Sequence, residues 1–125
     1  LLFIDDLTTE KIITRVIVRH GELVDSIQLR WKTSSGDRSG ERHGGGGGAE
    51  SYFDLNDGEC IESISGEAGD FVRTLAFKTN AGKEYTFGKG GCGSKPFTID
   101  VKGKKILGFW GRSGAYLDAI GVCSI

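Results

Sequence analysis

A chain of 125 residues has room for one domain, with a core large enough to stay folded without disulfides. Sixteen Lys and Arg against 17 Asp and Glu leave a net charge of −1, so no global field gathers nucleic acid or an anionic membrane. With 21 glycines, one proline and no Gly-X-Y period, collagen is excluded and many tight turns are implied.

No apolar run reaches the length of a membrane span or a signal-peptide core; the longest near the start is Leu1 to Ile4, so membrane insertion is not expected. Lys11 to Arg19 is rich in β-branched residues and breaks at His20-Gly21; Ser26 to Trp31 then alternates, with Ile27, Leu29 and Trp31 on one side. Residues 33 to 41 are polar and read as a hairpin tip, followed by His43 and the five glycines Gly44 to Gly48. Strand patterns resume at Tyr52 to Leu55, Cys60 to Gly66, Val72 to Thr79, Tyr85 to Phe87, Pro96 to Ile99 and Ile106 to Trp110, with turns at Asn56-Asp57-Gly58 and Asn80-Ala81-Gly82. No segment sustains a helical period, and the fold class is all-β.

A loop of the form Gly-x-x-x-charged, followed by a strand with period two, occurs three times: Gly21 to Asp25, Gly69 to Arg73 and Gly114 to Asp118. The charged residues stand 48 (25 to 73) and 45 (73 to 118) positions apart, and a glycine-rich loop recurs at Gly44 to Gly48 and Gly88 to Gly93. Three small sheets, none able to bury its apolar face alone, would pack around one core. An aspartate on such a turn accepts hydrogen bonds while nearby backbone amides donate them, which suits a ligand with adjacent hydroxyls, as sugars have. Arg73 has no acceptor, so the repeat predicts two competent sites and one silent one.

These residues resemble the jacalin-related lectins, nearest to the mannose-binding, banana-lectin-like branch. The resemblance covers nearly the whole chain and rests on Gly111 to Gly121, Ser65-Gly66, Leu75 to Asn80 with Tyr85 to Gly88, and Arg42-His43 ahead of the glycine run. It implies one domain over residues 1–125 with a β-prism I fold: three four-stranded Greek-key sheets related by pseudo-threefold symmetry. It also implies metal-independent, non-enzymatic binding of mannose- or glucose-type saccharides and glycoproteins, without cofactor. Carried over residue by residue, one site comprises Gly114, Ala115, Tyr116, Leu117 and Asp118. The other comprises Gly21, Glu22, Leu23, Val24 and Asp25, closed by Gly47 and Gly48, where a Cβ would block close approach. The glycine loop that would complete the Asp118 site is not in this sequence, which begins at about its last position: either Leu1 supplies a backbone or α-amino donor, or the preceding residues lie outside this sequence.

Weak single sites call for several of them, so a homodimer or higher homo-oligomer is expected, in a secreted or extracellular setting. Alternatives are a galactose-type lectin and a prism serving assembly without sugar binding. A glycosidase pair from Asp5 and Asp6, or from Asp25 and a neighbour, is not favoured, because nothing fixes a separation or raises one pKa. The glycine runs lack the Gly-Lys-Ser/Thr order and following helix of a phosphate cradle. His20 and His43 read as turn residues, and Trp31 and Trp110 as core or interface. Cys60, Cys92 and Cys123 lack C-x-x-C spacing, which leaves open reduced thiols, one bridge with a spare thiol, or a bridge between subunits.

Overall fold

The computed structural model describes residues 1–6, 10–91 and 93–125. In chain order the strands are β1 (Leu2–Ile4), β2 (Ile12–His20), β3 (Val24–Thr33), β4 (Gly36–Ser39), β5 (His43–Gly44), β6 (Ala49–Asp54), β7 (Ile61–Ala68), β8 (Val72–Thr79), β9 (Glu84–Gly88), β10 (Lys95–Asp100), β11 (Ile106–Ser113) and β12 (Leu117–Ser124). They form three antiparallel sheets. The first runs β4-β3-β2-β6 with β5 also on β3, the second β10-β7-β8-β9, and the third β1-β11-β12. The third sheet thus joins the first strand to the last two, and among the described residues it has three strands rather than four.

Each sheet turns one alternating row inward. Val16, Val18, Ile27 and Leu29 come from the first, Ile64, Leu75 and Phe77 from the second, and Phe109 and Leu117 from the third, all at most 1% exposed. Burying one such side chain contributes about 1.5 to 3 kcal/mol. Phe77 joins the sheets, with ring centroids 5.2 Å from Phe53 and 5.9 Å from Phe109. Trp31 is buried, whereas Trp110 lies 49% exposed on the outer face of the third sheet.

Two readings of the first sheet change. The tip of the hairpin expected over residues 33 to 41 narrows to Ser34-Ser35, because Gly36–Ser39 pair with Arg30 to Thr33. All four β4 residues are exposed, so no apolar alternation marks them, and only the backbone ladder defines the strand. His43 is not a surface turn residue; it is 8% exposed and pairs with Ile27 as part of β5. His20 closes β2, and its Nε2 lies 2.8 Å from Ser51 Oγ.

Candidate functional site

The three charged residues of the repeat share one backbone position. Asp25 is the extra residue where pairing steps from Arg19–Ser26 to His20–Val24. Arg73 is extra between Glu67–Thr74 and Ala68–Val72, and Asp118 between Arg112–Ala119 and Ser113–Leu117. Each is therefore a β-bulge residue, turned out of the ladder's alternation toward the loop end of its sheet. The preceding turns also agree: the amides of Gly21, Gly69 and Gly114 donate to the carbonyls of Leu23, Phe71 and Tyr116 at 2.9, 3.0 and 2.9 Å. The fourth residue of each loop, Val24, Val72 or Leu117, is fully buried and pins the loop to the core. The side chains of Val24 and Leu117 are thus core anchors, which leaves backbone groups as what these two residues can offer a ligand.

Around Asp25 the site is closed by its own glycine loop. Gly44, at φ 124°, passes so near the Asp25 carbonyl oxygen that a Cβ would collide with it, and the Gly45 amide donates to that oxygen at 3.0 Å. A Cβ on Gly47 would stand 2.8 Å from Asp25 Oδ2, and one on Gly48 the same distance from Oδ1, so both carboxylate oxygens face the loop. Arg19 fixes the loop by donating from Nε to the Gly47 carbonyl and from Nη2 to the Gly48 carbonyl, each at 3.0 Å. Among the described residues no hydrogen bond uses the Asp25 carboxylate, and because no fully buried side-chain oxygen lacks a partner, the 7% exposure of this residue includes its carboxylate. Arg19 was not singled out from sequence, although the 48- and 45-residue spacing that relates the bulge residues also relates it to Glu67 and Arg112.

Asp118 is half-buried and borders a cleft of about 320 Å³ shared with Arg112, Lys95, Pro96 and Phe97. Leu1 does not turn to it. The Leu1 amino group donates to the Ser113 carbonyl at 2.8 Å and Ser113 N–H returns a bond to Leu1 O at 2.9 Å, so the terminus extends the β1–β11 ladder. Tyr116 stands edge-on to Phe71 at 5.2 Å. The loops also interlock between sheets: Gly45 abuts the Ala115 carbonyl, and the Lys89 amide donates to the Glu22 carbonyl at 3.3 Å. All three loops therefore gather at one end of the prism.

Elsewhere, Asp5 and His43 form a buried pair beside Lys11, whose side chain is 1% exposed and donates to the Asp6 carbonyl at 2.7 Å. Among the described residues no cluster of three His, Cys, Asp or Glu could hold a metal ion. Cys60 and Cys123 are free thiols, and burial pushes the Cys60 thiol up from its ordinary value; Cys92 lies outside the described residues.

Residues 3–123 match the family described as Jacalin-like lectin domain. Jacalin-related lectin 3 of Arabidopsis thaliana is 35% identical over 120 residues, 88% of this chain but 20% of that protein. Horcolin of Hordeum vulgare is 38% identical over 112 residues, 83% of this chain and 75% of its own length. The mannose/glucose-specific lectin of Parkia pendula is 34% identical over 121 residues, 88% of this chain and 26% of its own. The chain thus spans about a fifth of the first of these and a quarter of the last. Among solved structures, wild-type Malaysian banana lectin superposes with a TM-score of 0.85 at 29% identity, covering 99% of this chain and 89% of that one. The artocarpin–mannotriose complex gives 0.87 at 26%, with the same coverage. Three antiparallel sheets around one core, a glycine-flanked bulge in each, and a match over nearly the whole length place this chain in the jacalin-like lectin domain family, with its β-prism fold.

Proposed function

We propose that this chain is a carbohydrate-binding module that takes mannose- or glucose-type saccharides at two loop sites, without metal and without turnover. The observation that carries the reading is the Asp25 carboxylate, held by a bulge beneath Gly47 and Gly48 with no donor on it among the described residues. Two neighbouring sugar hydroxyls supply the missing donors, and the amides of Glu22 and Leu23 donate to ring or hydroxyl oxygens. The Asp118 loop repeats the geometry with Ala115 and Tyr116, and the Tyr116 ring, 38% exposed, offers an apolar face to a sugar. The names of the Parkia lectin and the artocarpin complex support the sugar class.

A shallow hydroxyl-lined site exchanges water hydrogen bonds for protein ones almost evenly, so each should bind on the order of 0.1 to 1 mM. Avidity for glycoproteins on an extracellular surface then comes from two sites per chain and from self-association, together about 10² to 10⁴ in effective affinity. Leu2, Ile4 and Trp110, 80%, 61% and 49% exposed on the outer face of the third sheet, support a homo-oligomer of dimer or higher order.

Calorimetric titration with methyl α-mannoside and methyl α-galactoside, each with and without chelator, tests the reading. Mannoside binding near two sites per chain, indifferent to chelator, is expected. One site would restrict function to the Asp25 loop, galactoside preference would reassign the sugar class, and no binding to either would leave assembly as the role.

A further inference from the structure

The middle repeat inverts the charges of the other two. At the strand position before the turn the three sheets carry Arg19, Glu67 and Arg112, and at the bulge Asp25, Arg73 and Asp118. Both substitutions fall in the same sheet, so the reversal is a paired exchange rather than the loss of one aspartate. The first glycine of the loop keeps its place beside the bulge residue, although the next amide, that of Lys89, donates to the Glu22 carbonyl where the Gly45 amide donates to the Asp25 carbonyl. Gly88, at φ 86°, passes so near the Arg73 carbonyl oxygen that a Cβ would collide with it, as one on Gly44 would with the Asp25 carbonyl. Gly91 lines the side chain: a Cβ there would lie 3.4 Å from both Cδ and Nη1 of Arg73.

Arg73 is half-buried, yet among the described residues no carboxylate lies within ion-pair distance of it and no hydrogen bond uses its guanidinium. The nearby charges are otherwise engaged or displaced. Glu67 abuts Gly90 under the glycine loop, where Arg19 holds the equivalent loop in the first sheet, and Lys89 Nζ lies 3.7 Å from Glu22 Oε1. Asp70 is exposed on the same turn. A guanidinium offers donors in a planar fork and accepts nothing, so it matches an oxyanion bidentately and cannot take the hydroxyl protons that an aspartate takes.

We propose that the loop of Gly69 to Arg73, with Gly88, Gly90 and Gly91, is a third saccharide site of opposite polarity, specific for sugars carrying an oxyanion, a uronic acid carboxylate or a sulfate ester. We thereby depart from the expectation of a silent third loop. The proposal rests on the reading that ligands sit between each bulge residue and its glycine loop, and one chain would then hold neutral and acidic sugars at the same end of the prism.

Amide and arginine Nε–H resonances of the labelled protein are followed during separate titrations with methyl β-glucuronide, glucose 6-sulfate, methyl α-mannoside and sodium acetate. Millimolar glucuronide or sulfate should shift Arg73 Nε–H and the Gly88, Gly90 and Gly91 amides, weakening as salt rises. Which of the two binds more tightly identifies the oxyanion. Arg73→Ala should lower that affinity at least about tenfold, and Arg73→Lys should retain only part of it, because charge survives without the fork. Mannoside shifts at the Asp25 and Asp118 loops should be the same in both variants. The proposal is overturned if neither acidic sugar shifts these signals, if Arg73→Ala binds them as well, or if acetate shifts them equally at equal concentration. Mannoside shifts report on the neutral sites alone, so their absence beside intact glucuronide shifts would remove that function and leave this one.

Discussion

His43 Nε2 lies 2.7 Å from Asp5 Oδ1, both residues buried, while Phe109 N–H donates to Asp5 Oδ2 at 2.8 Å and the Phe3 ring stacks on the imidazole at 4.1 Å. One carboxylate therefore ties the third sheet to the residue that opens the glycine loop of the first. Asp5→Leu leaves a buried imidazole nitrogen and a buried amide without partners, which costs about 2 to 4 kcal/mol. Denaturant melts should show that loss, and because His43 adjoins Gly44, mannoside affinity should fall at the Asp25 site before the Asp118 site. Unchanged stability would show that the pair is dispensable.

Removing the charge from either bulge aspartate should weaken sugar binding while the fold survives. Asp25→Asn and Asp118→Asn each replace a charged acceptor with a neutral one, a change of about 1.5 to 3 kcal/mol and hence at least about tenfold in affinity. Among the described residues no hydrogen bond to either carboxylate is lost, so melting temperatures should move little. Full mannoside affinity in the double variant would defeat the assignment of both sites.

Two neighbouring glycines should respond differently to the same added methyl group. Gly48 has φ 69° and its Cβ would stand 2.6 Å from the His20 carbonyl, so Gly48→Ala should cost more than about 1 kcal/mol of stability as well as binding. At Gly47 the nearest atom is Asp25 Oδ2, so Gly47→Ala should displace the carboxylate and abolish binding at that site with little change in melting temperature. Thermal melts beside titrations separate the two, and equal stability losses would contradict this division.

Lys11 makes stability depend on alkaline pH. Burial holds its ammonium below the ordinary lysine range, against the opposing pull of Asp5 and Asp6. Between the lowered folded value and the ordinary one, the unfolded chain binds a proton that the native chain has released. Stability from this group therefore rises with pH through that window, by up to about 1.4 kcal/mol per unit, and is lowest where both states are protonated. The difference in unfolding free energy between the native protein and Lys11→Met, measured from pH 7 to 10, should grow with pH. Parallel curves would mean that Lys11 keeps its proton throughout.

Alternation in Ser26 to Trp31, Cys60 to Gly66 and Val72 to Thr79, with glycine turns between, is a local property, and it determined the all-β class and the threefold repeat. The 48- and 45-residue spacing likewise picked out Asp25, Arg73 and Asp118, because the Gly-x-x-x-charged loop recurs in the same register with the strand that follows it. What each residue faces was decided by register between distant segments. Gly36–Ser39 became a strand through backbone pairing that no side-chain pattern announces, and the buried Lys11 and His43 found partners in the Asp6 carbonyl and the Asp5 carboxylate, which sequence gives no reason to place beside them. Only tertiary contact set Arg19 against the Gly47 and Gly48 carbonyls and left the Arg73 guanidinium, among the described residues, without a carboxylate. A residue's backbone conformation follows from its neighbours in the chain, whereas the partner of a polar group depends on which remote element the packed core brings within about 3 Å.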